Sequence, residues 1–291
     1  MTGDPFLSHR SLLFTVAYEM LGSAADAEDV VQETWLRWAD LGESARADVR
    51  DPRAYLVRAI PRQALNRLRT LAGRREEYVG EWLPEPLLTS PDVAEDVELA
   101  ESVSFAMLTV LETLRPTERA VFVLREVFET PYDEIAEAVG KTPAAVRQIA
   151  HRAQEHVAAR RPRVRVTQAE QEAVVQRFLA AVRGGDLQGL LDVLAPDVVV
   201  VSDGGGVVAA ARPIQGSDRV GAFLGGLASL PGDFKAMPMW LNGAPAARFD
   251  LDGELNTVTS LVIEHGRITR IYAVRNPDKL ARLDEQAQLR R

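Results

Sequence analysis

The chain has 291 residues, a net charge of −8 and no cysteine. The length predicts two or three domains at roughly 100–200 residues each, and the absence of cysteine excludes a disulfide framework and a zinc–thiolate site. No apolar run reaches the roughly 18 residues that a membrane span needs, and the first residues lack a signal-peptide pattern. We therefore expect a cytoplasmic protein without a membrane partner.

The charges are unevenly distributed along the chain. Eight arginines and a single acid, Asp51, lie between Arg50 and Arg75, whereas nine acids and no Lys or Arg lie between Glu76 and Glu101. The chain is basic again from Lys141 to Arg165. Two basic blocks around an acidic one favour two separate nucleic-acid footprints on a protein that otherwise avoids non-specific DNA binding. The alternative is that the two basic blocks are solvated helix faces that bind no nucleic acid.

The first 72 residues are expected to be helical. Apolar residues from Ala27 to Trp38 recur at helical spacing after Ser23, whose distance to Asp26 suits an N-cap. A second helix is expected to start at Asp51-Pro52. Pro61 should kink or break it, because proline removes a helical hydrogen bond.

Residues 73–97 read as an acidic, proline-containing linker. Its apolar residues, Trp82 and Leu83 above all, predict that part of it docks on another surface, since exposed apolar clusters usually mark interaction sites.

A helix-turn-helix is predicted between Thr130 and Val157, within a helical region 98–162. Thr130-Pro131 and Thr142-Pro143 are helix starts, and Gly140 ends the first helix. The second helix turns small and polar residues outward near its N-terminus, the half that enters a major groove. These candidate base contacts are Ala144, Arg147, Gln148, His151 and Arg152. An ordinary helical hairpin is the alternative.

A separate α+β domain is expected over residues 167–291. Helices should come first, followed by strands at 197–206 and 207–213 and a helix at 218–230. Strands at 244–250, 255–264 and 267–275 should then complete a strongly bent antiparallel sheet.

Two further side-chain groups precede the linker. In the first group, arginines alternate with an aromatic residue, which suits binding to a single DNA strand whose bases are splayed out. The residues of this group are Arg53, Tyr55, Arg58, Arg62, Asn66 and Arg69. The second group is the acidic outer face of the helix at 24–38, which suits binding to a protein better than binding to DNA phosphates. The alternative is that this face is only solvated and binds no partner. Its candidate contacts are Glu28, Asp29, Gln32, Glu33 and Trp35.

Three segments resemble regions 2 and 4 of the extracytoplasmic-function group of the sigma-70 family. Their sequences are AEDVVQETWLRW, DPRAYLVRAI and LRPTERAVFVLREVFETPYDEIAEAVGKTPAAVRQIAHRA. The resemblance implies core RNA polymerase and promoter DNA as partners. The acidic helix would bind the β′ clamp. The loop and helix from about Asp40 to Arg69 would capture and melt the −10 element, and the recognition helix 143–157 would read the −35 element. The β flap is the second implied polymerase contact.

Three shorter motifs resemble the SigJ-like subgroup, which carries a SnoaL-like C-terminal cone domain thought to replace an anti-sigma factor. They are WLPEP, DGGG and NPDKL, and Val207 stands where that subgroup usually has Lys. We expect them to form a regulatory contact through Trp82, Leu83, Pro84, Asp203, Gly204, Gly205, Gly206, Asn276, Pro277, Asp278 and Lys279.

Catalysis is not expected, although this fold also hosts enzymes. The candidate acid–base residues are Asp203, Asp250, Asp252 and His265. No two of them have a spacing in the sequence that is diagnostic of a catalytic pair. We expect no cofactor and no metal, and an unknown small-molecule ligand of the C-terminal domain stays open. The alternative function is a DNA-binding regulator that acts without polymerase and carries a ligand-binding or enzymatic domain.

Overall fold

The computed structural model describes residues 4–76, 78, 80–161, 166–206 and 212–291. They form two compact units, a helical one and an α+β one. The helical unit combines residues 1–76, 107–161 and the last four residues, 288–291. The α+β unit combines residues 77–106 with 162–287. None of the described helices is both long and apolar enough to cross a membrane.

These units divide the chain differently from the expected domains of 1–72, 73–97, 98–162 and 167–291. Most of the acidic linker and the first helix of the predicted region 4 belong to the α+β unit, whereas almost all of the rest of the two predicted sigma regions lies in the helical unit. The helical region expected from residue 98 is interrupted at Ser104, which is extended with ψ 146°. Local periodicity did not show that this segment packs on a distant domain.

The helical unit begins with four helices: α1 (Pro5–Leu21), α2 (Ala24–Asp40), α3 (Gly42–Ala47) and α4 (Pro52–Glu76). The side chain of Ser23 accepts the Asp26 N–H at 3.2 Å, and that of Asp51 accepts the Ala54 N–H at 3.0 Å, as the sequence predicted. Helix α4 continues through Pro61, so the expected break is absent. Pro61 is buried among apolar neighbours on α4, and packing of that face maintains the helix.

The helix-turn-helix follows as predicted. The intervening helices are α5 (Val97–Val103), α6 (Phe105–Leu111) and α7 (Pro116–Phe122), and the motif itself is α8 (Tyr132–Val139) and α9 (Pro143–Ala158). Gly140 ends α8 with φ 66°, and the Thr142 hydroxyl caps α9 by accepting the Ala145 N–H at 3.2 Å. The buried stripe of α9 includes Ala150, whereas Ile149, which we expected to face inward, is only half-buried.

Within the residues that the structure describes, the α+β unit has a six-stranded sheet and, besides α5, four further helices. The helices are α10 (Gln168–Gly184), α11 (Leu187–Val193), α12 (Ser217–Leu227) and α13 (Pro277–Leu280). The strands are β1 (Leu194–Asp203), β2 (Ile214–Gln215), β3 (Phe234–Leu241), β4 (Ala244–Leu251), β5 (Glu254–Glu264) and β6 (Arg267–Val274).

The strand order is β2-β1-β6-β5-β4-β3, and the β1–β6 pair is parallel, which corrects the expected all-antiparallel sheet. Strand β3 was not predicted from the sequence. The strand expected at 207–213 lies largely outside the described residues, as does Val207.

The two faces of the sheet pack against different parts of the unit. One face and the helices α10–α12 share an apolar cluster that includes Phe178, Val200 and Phe249. The other face packs against Leu83 and Phe105 of the segment 77–106, and against Leu280 of α13. The linker therefore completes the core of this unit.

Candidate DNA and polymerase interfaces and the linker site

The expected −35 contacts lie together on α9. Ala144, Arg147, Gln148, His151 and Arg152 are all exposed. The Arg147 guanidinium lies 5.5 Å from the centroid of the Tyr132 ring, and Arg125 lies 4.6 Å from the same ring. This contact with Tyr132 restricts where Arg147 can point, and no sequence pattern indicated it.

The expected −10 residues lie along α4. Arg62, Asn66 and Arg69 recur at helical spacing and are exposed, as is Arg53. Tyr55 is half-buried, with its ring 5.6 Å from that of Trp38. Arg67, which was not among the candidates, forms ion pairs with Asp26 at 2.6 Å and Asp29 at 2.9 Å.

The acidic face of α2 is partly neutralised by neighbouring helices. Glu28 pairs with Arg10 at 2.5 Å, and Asp29 is held by Arg67, whereas Gln32 and Glu33 are exposed. Trp35 is 41% exposed and borders an apolar groove of about 280 Å³ between α1 and α2. An exposed tryptophan beside a groove, with the exposed Gln32 and Glu33 on the same helix, suits a protein partner.

The two DNA-binding candidates are in contact within the helical unit. Arg58 of α4 pairs with Glu134 of α8 at 3.6 Å. Arg119 of α7 is buried, donates from Nε to the Glu19 carbonyl of α1 at 2.9 Å, and pairs with Glu112. The helix-turn-helix region is therefore packed on the N-terminal helices.

The linker site is centred on Asp203 at the end of β1. This carboxylate is fully buried and accepts hydrogen bonds from the Tyr78 hydroxyl at 2.5 Å and the Leu83 N–H at 2.8 Å. It also accepts the Gly205 N–H at 3.1 Å, and Lys279 completes the set with an ion pair at 2.7 Å. Two of the four donors come from the linker, so one side chain fixes the linker to the sheet.

Lys279 connects the linker to the NPDKL motif. Its ammonium donates to the Leu83 carbonyl at 2.5 Å and lies 4.0 Å from the centroid of the Trp82 ring. It contacts both the backbone and the aromatic side chain of the linker. The three motifs singled out in the sequence thus meet at this cation.

Asn276 of the NPDKL motif and Gly205 of the DGGG motif lie against each other. Asn276 caps α13 by accepting the Asp278 N–H at 3.0 Å and donates to the Tyr78 hydroxyl at 2.9 Å. Gly205 has φ 65°, and a Cβ there would lie 2.6 Å from the Asn276 side chain. Only glycine fits without displacing Asn276.

Tyr78 was missed by the sequence reasoning, although it is central to the site. Burial first, and then its hydrogen bond to Asp203, raises the pKa of Tyr78 well above its ordinary value. The hydroxyl therefore stays protonated and acts as a donor to the carboxylate.

A second linker contact is built on the β3–β4 turn, Asn242-Gly243. The Asn242 side chain accepts the Leu87 N–H at 3.0 Å and donates to the Val103 carbonyl at 2.9 Å. The Gly243 N–H donates to the Thr89 hydroxyl at 3.0 Å. An Asn-Gly pair is a strong hairpin signal, and could have identified this turn had β3 been predicted.

The other acid–base candidates are engaged in local structure. Asp250 pairs with Arg248 at 2.7 Å, Asp252 accepts the Asp233 N–H at 2.9 Å, and His265 has φ 53° in the β5–β6 turn. The structure does not bring these residues together with Asp203.

Comparison with known proteins agrees with this architecture. The models of sigma-70 region 2 and sigma-70 region 4 match residues 6–74 and 104–157. ECF RNA polymerase sigma factor SigJ of Mycobacterium tuberculosis is 37% identical, over 96% of this chain and 93% of that protein. The probable sigma factor SigI of the same species is 35% identical, over 94% of this chain and 92% of that protein.

A solved structure also covers nearly the whole chain. The crystal structure of M. tuberculosis SigJ matches with a TM-score of 0.72 and 35% identity, over 95% of this chain and 97% of that chain. This match extends through the C-terminal sheet and confirms two helical sigma regions followed by an α+β, SnoaL-like cone domain. The chain therefore belongs to the extracytoplasmic-function sigma factors of the sigma-70 family.

Proposed function

We propose that this sigma factor is restrained by its own C-terminal domain, which holds the linker between regions 2 and 4. The sigma function follows from the family: the chain is an alternative sigma factor whose partners are core RNA polymerase and promoter DNA. The Asp203 site, with its donors Tyr78, Leu83 and Lys279, is the observation that carries the proposed restraint.

The finer partner assignments are those that the resemblance to the sigma-70 family implies, and the exposure of the residues named supports them. We assign the α2 face around Gln32, Glu33 and Trp35 to the β′ clamp, and region 4 to the β flap. We assign the exposed residues of α4 to the −10 element and the α9 face to the −35 element. We place this activity in the cytoplasm.

Promoter geometry explains why contact between regions 2 and 4 would restrain activity. The −35 and −10 elements are about 25 base pairs apart, or about 85 Å of duplex at 3.4 Å per base pair. Regions joined by the Arg58–Glu134 pair at 3.6 Å do not span that distance. The packed arrangement thus suits the free chain rather than the promoter complex.

The linker controls whether the regions can separate. Its 30 residues, from 77 to 106, could reach at most roughly 100 Å when fully extended. Pinned at Tyr78, Leu83, Leu87 and Thr89, the segment cannot extend. Release of these contacts is therefore the step that we propose to activate the protein.

Catalysis has no part in this proposal. The relatives are sigma factors rather than enzymes, and Asp203 already has four hydrogen-bond donors that leave it no acid–base role. We therefore assign this carboxylate a binding role within the chain.

Run-off transcription with core polymerase tests the restraint. We expect Trp82→Ala, Gly205→Ala and deletion from Asn276 to raise output from a cognate promoter above that of the full chain. Trp35→Ala, on the assigned polymerase face, serves as the opposite control and should lower it. Unchanged output from all three linker-site variants, with normal polymerase binding, would refute the restraint.

A further inference from the structure

A basic cavity lies between regions 2 and 4 inside the helical unit. It has a volume of about 380 Å³, and four cationic side chains line it. Arg69 comes from α4 of region 2, whereas Arg115, Lys141 and Arg152 come from region 4. The cavity therefore exists only while the two regions are packed together.

The charges in this cavity are unbalanced. Glu118 is the acid in the lining, and its carboxylate accepts the Arg115 backbone N–H at 3.2 Å as part of the α7 cap. Within the described part of the chain, none of the four cations forms an ion pair. Like charges from two regions face one space, so an anion that enters it would lower their mutual repulsion.

We propose that this cavity binds a small molecule carrying several phosphate groups, of the nucleoside polyphosphate class. Three guanidinium groups and an ammonium match phosphate oxygens in both charge and hydrogen-bond geometry. A volume of about 380 Å³ is within the range of small-molecule sites. The apolar side chains of Pro116 and Ile149 give the lining a surface for a non-phosphate moiety.

Promoter DNA is the less suitable occupant of this particular space. The walls come from two regions that must separate to reach the two promoter elements. Arg69 and Arg152 are also among the proposed DNA contacts, so a bound polyphosphate and promoter DNA would compete for them. The ligand would bridge the two regions, favour the packed arrangement and lower transcription.

Titration of the full-length chain with inorganic tripolyphosphate at fixed ionic strength tests the site. We expect saturable, one-to-one binding, and much weaker binding of sulfate. The variant Arg115→Gln with Lys141→Gln should weaken tripolyphosphate binding at least about tenfold, because two charge-assisted contacts are lost. The matched control, Arg183→Gln with Arg219→Gln, removes two exposed cations elsewhere and should leave affinity unchanged.

Hydrogen exchange gives the second measurement. Tripolyphosphate should slow exchange in both α4 and α9 because it bridges them. Protection confined to α9 would identify an open DNA-phosphate footprint and overturn the proposal, as would the absence of saturable binding. An equal loss in the control variant would overturn it too. The linker variants that test the restraint leave the cavity side chains unchanged, so the two proposals can fail independently.

Discussion

At the scale of single residues, Asp203 shows how one carboxylate holds two distant segments together. Its partners Tyr78 and Lys279 lie 125 and 76 residues away in the sequence. A fully buried carboxylate is tolerable only when it is paired and hydrogen-bonded, and here both conditions are met. Any change of a partner therefore affects linker docking directly.

Replacing Lys279 with methionine should destabilise the α+β unit. The change leaves a buried carboxylate without its cation, which costs about 3–5 kcal/mol in comparable sites. Urea unfolding of the full-length chain measures the loss. The double variant Asp203→Asn with Lys279→Met removes both charges and should recover part of the stability. A Lys279→Met chain as stable as the wild type would contradict the assigned role of this pair.

Tyr78 gives the linker contact a pH dependence with a defined sign. Because the pKa of Tyr78 is raised in the folded state, the neutral hydroxyl is favoured there, mainly by burial. This contribution is complete below the ordinary tyrosine pKa of about 10 and is lost as the pH rises through the raised pKa. The free energy of unfolding should fall above pH about 10 more steeply in the wild type than in Tyr78→Phe. Parallel profiles for the two proteins would exclude the proposed role of the hydroxyl.

Arg147 is expected to read one base pair of the −35 element. Its guanidinium is exposed and rests on Tyr132, so Arg147→Ala should cost about 1–3 kcal/mol of binding and relax preference at one position. Holoenzyme binding to a panel of −35 variants measures this. Tyr132→Leu should have a smaller effect on the same position. A uniform loss across the panel would instead mark Arg147 as a phosphate contact.

At the scale of secondary-structure elements, the β3–β4 hairpin is the feature that the sequence reasoning missed. Strand β3 reads FKAMPMWL, with Pro238 in its interior and without a clear alternation of buried and exposed residues. Proline is tolerated because β3 is the edge strand of the sheet. Besides its pairing with β4, β3 contacts the linker, because its Trp240 carbonyl accepts the Thr89 N–H at 3.1 Å. The turn that follows is positioned by this strand, and it contacts the linker.

The variant Asn242→Gly distinguishes the side-chain contacts of Asn242 with the linker from the backbone conformation of the turn. Glycine retains the positive φ of 51°, but loses the side-chain bonds to Leu87 and Val103. The buried Leu87 N–H is left unpaired, which should cost about 1–3 kcal/mol in urea unfolding and raise transcription.

A matched control exists at the β5–β6 turn. His265 has φ 53° and is also followed by a glycine with positive φ, so His265→Gly makes the same backbone change at another hairpin. Its stability and transcription should be close to those of the wild type. Equal effects at both turns would show that Asn242 acts through the turn alone.

At the scale of the whole molecule, the free chain should bind promoter DNA poorly. The net charge is −8, and the segment 76–101 contains nine acids and no Lys or Arg. The structure shows a different acid, Glu134 of the helix-turn-helix, paired with Arg58. Fluorescence anisotropy on a promoter duplex at near-physiological salt should detect weak binding that Glu134→Gln and the linker variants strengthen. Tight promoter-specific binding by the unmodified free chain would contradict this expectation.

The sequence by itself determined several helix starts, the end of α8 and the order of the sigma regions. Ser23, Asp51, Thr142 and Gly140 act within three or four residues of their own positions, so local spacing is sufficient to predict them. The three motifs of the linker site were also visible in the sequence as isolated segments.

Only the tertiary structure decided which of these segments meet. The ion pair between Asp203 and Lys279, the parallel β1–β6 pairing and the placement of the linker in the core of the sheet domain all join residues far apart in the chain. Such contacts depend on the summed packing of many elements, and no local window contains that information. The continuation of α4 through Pro61 has the same origin, because packing of its buried face outweighs a local preference against proline.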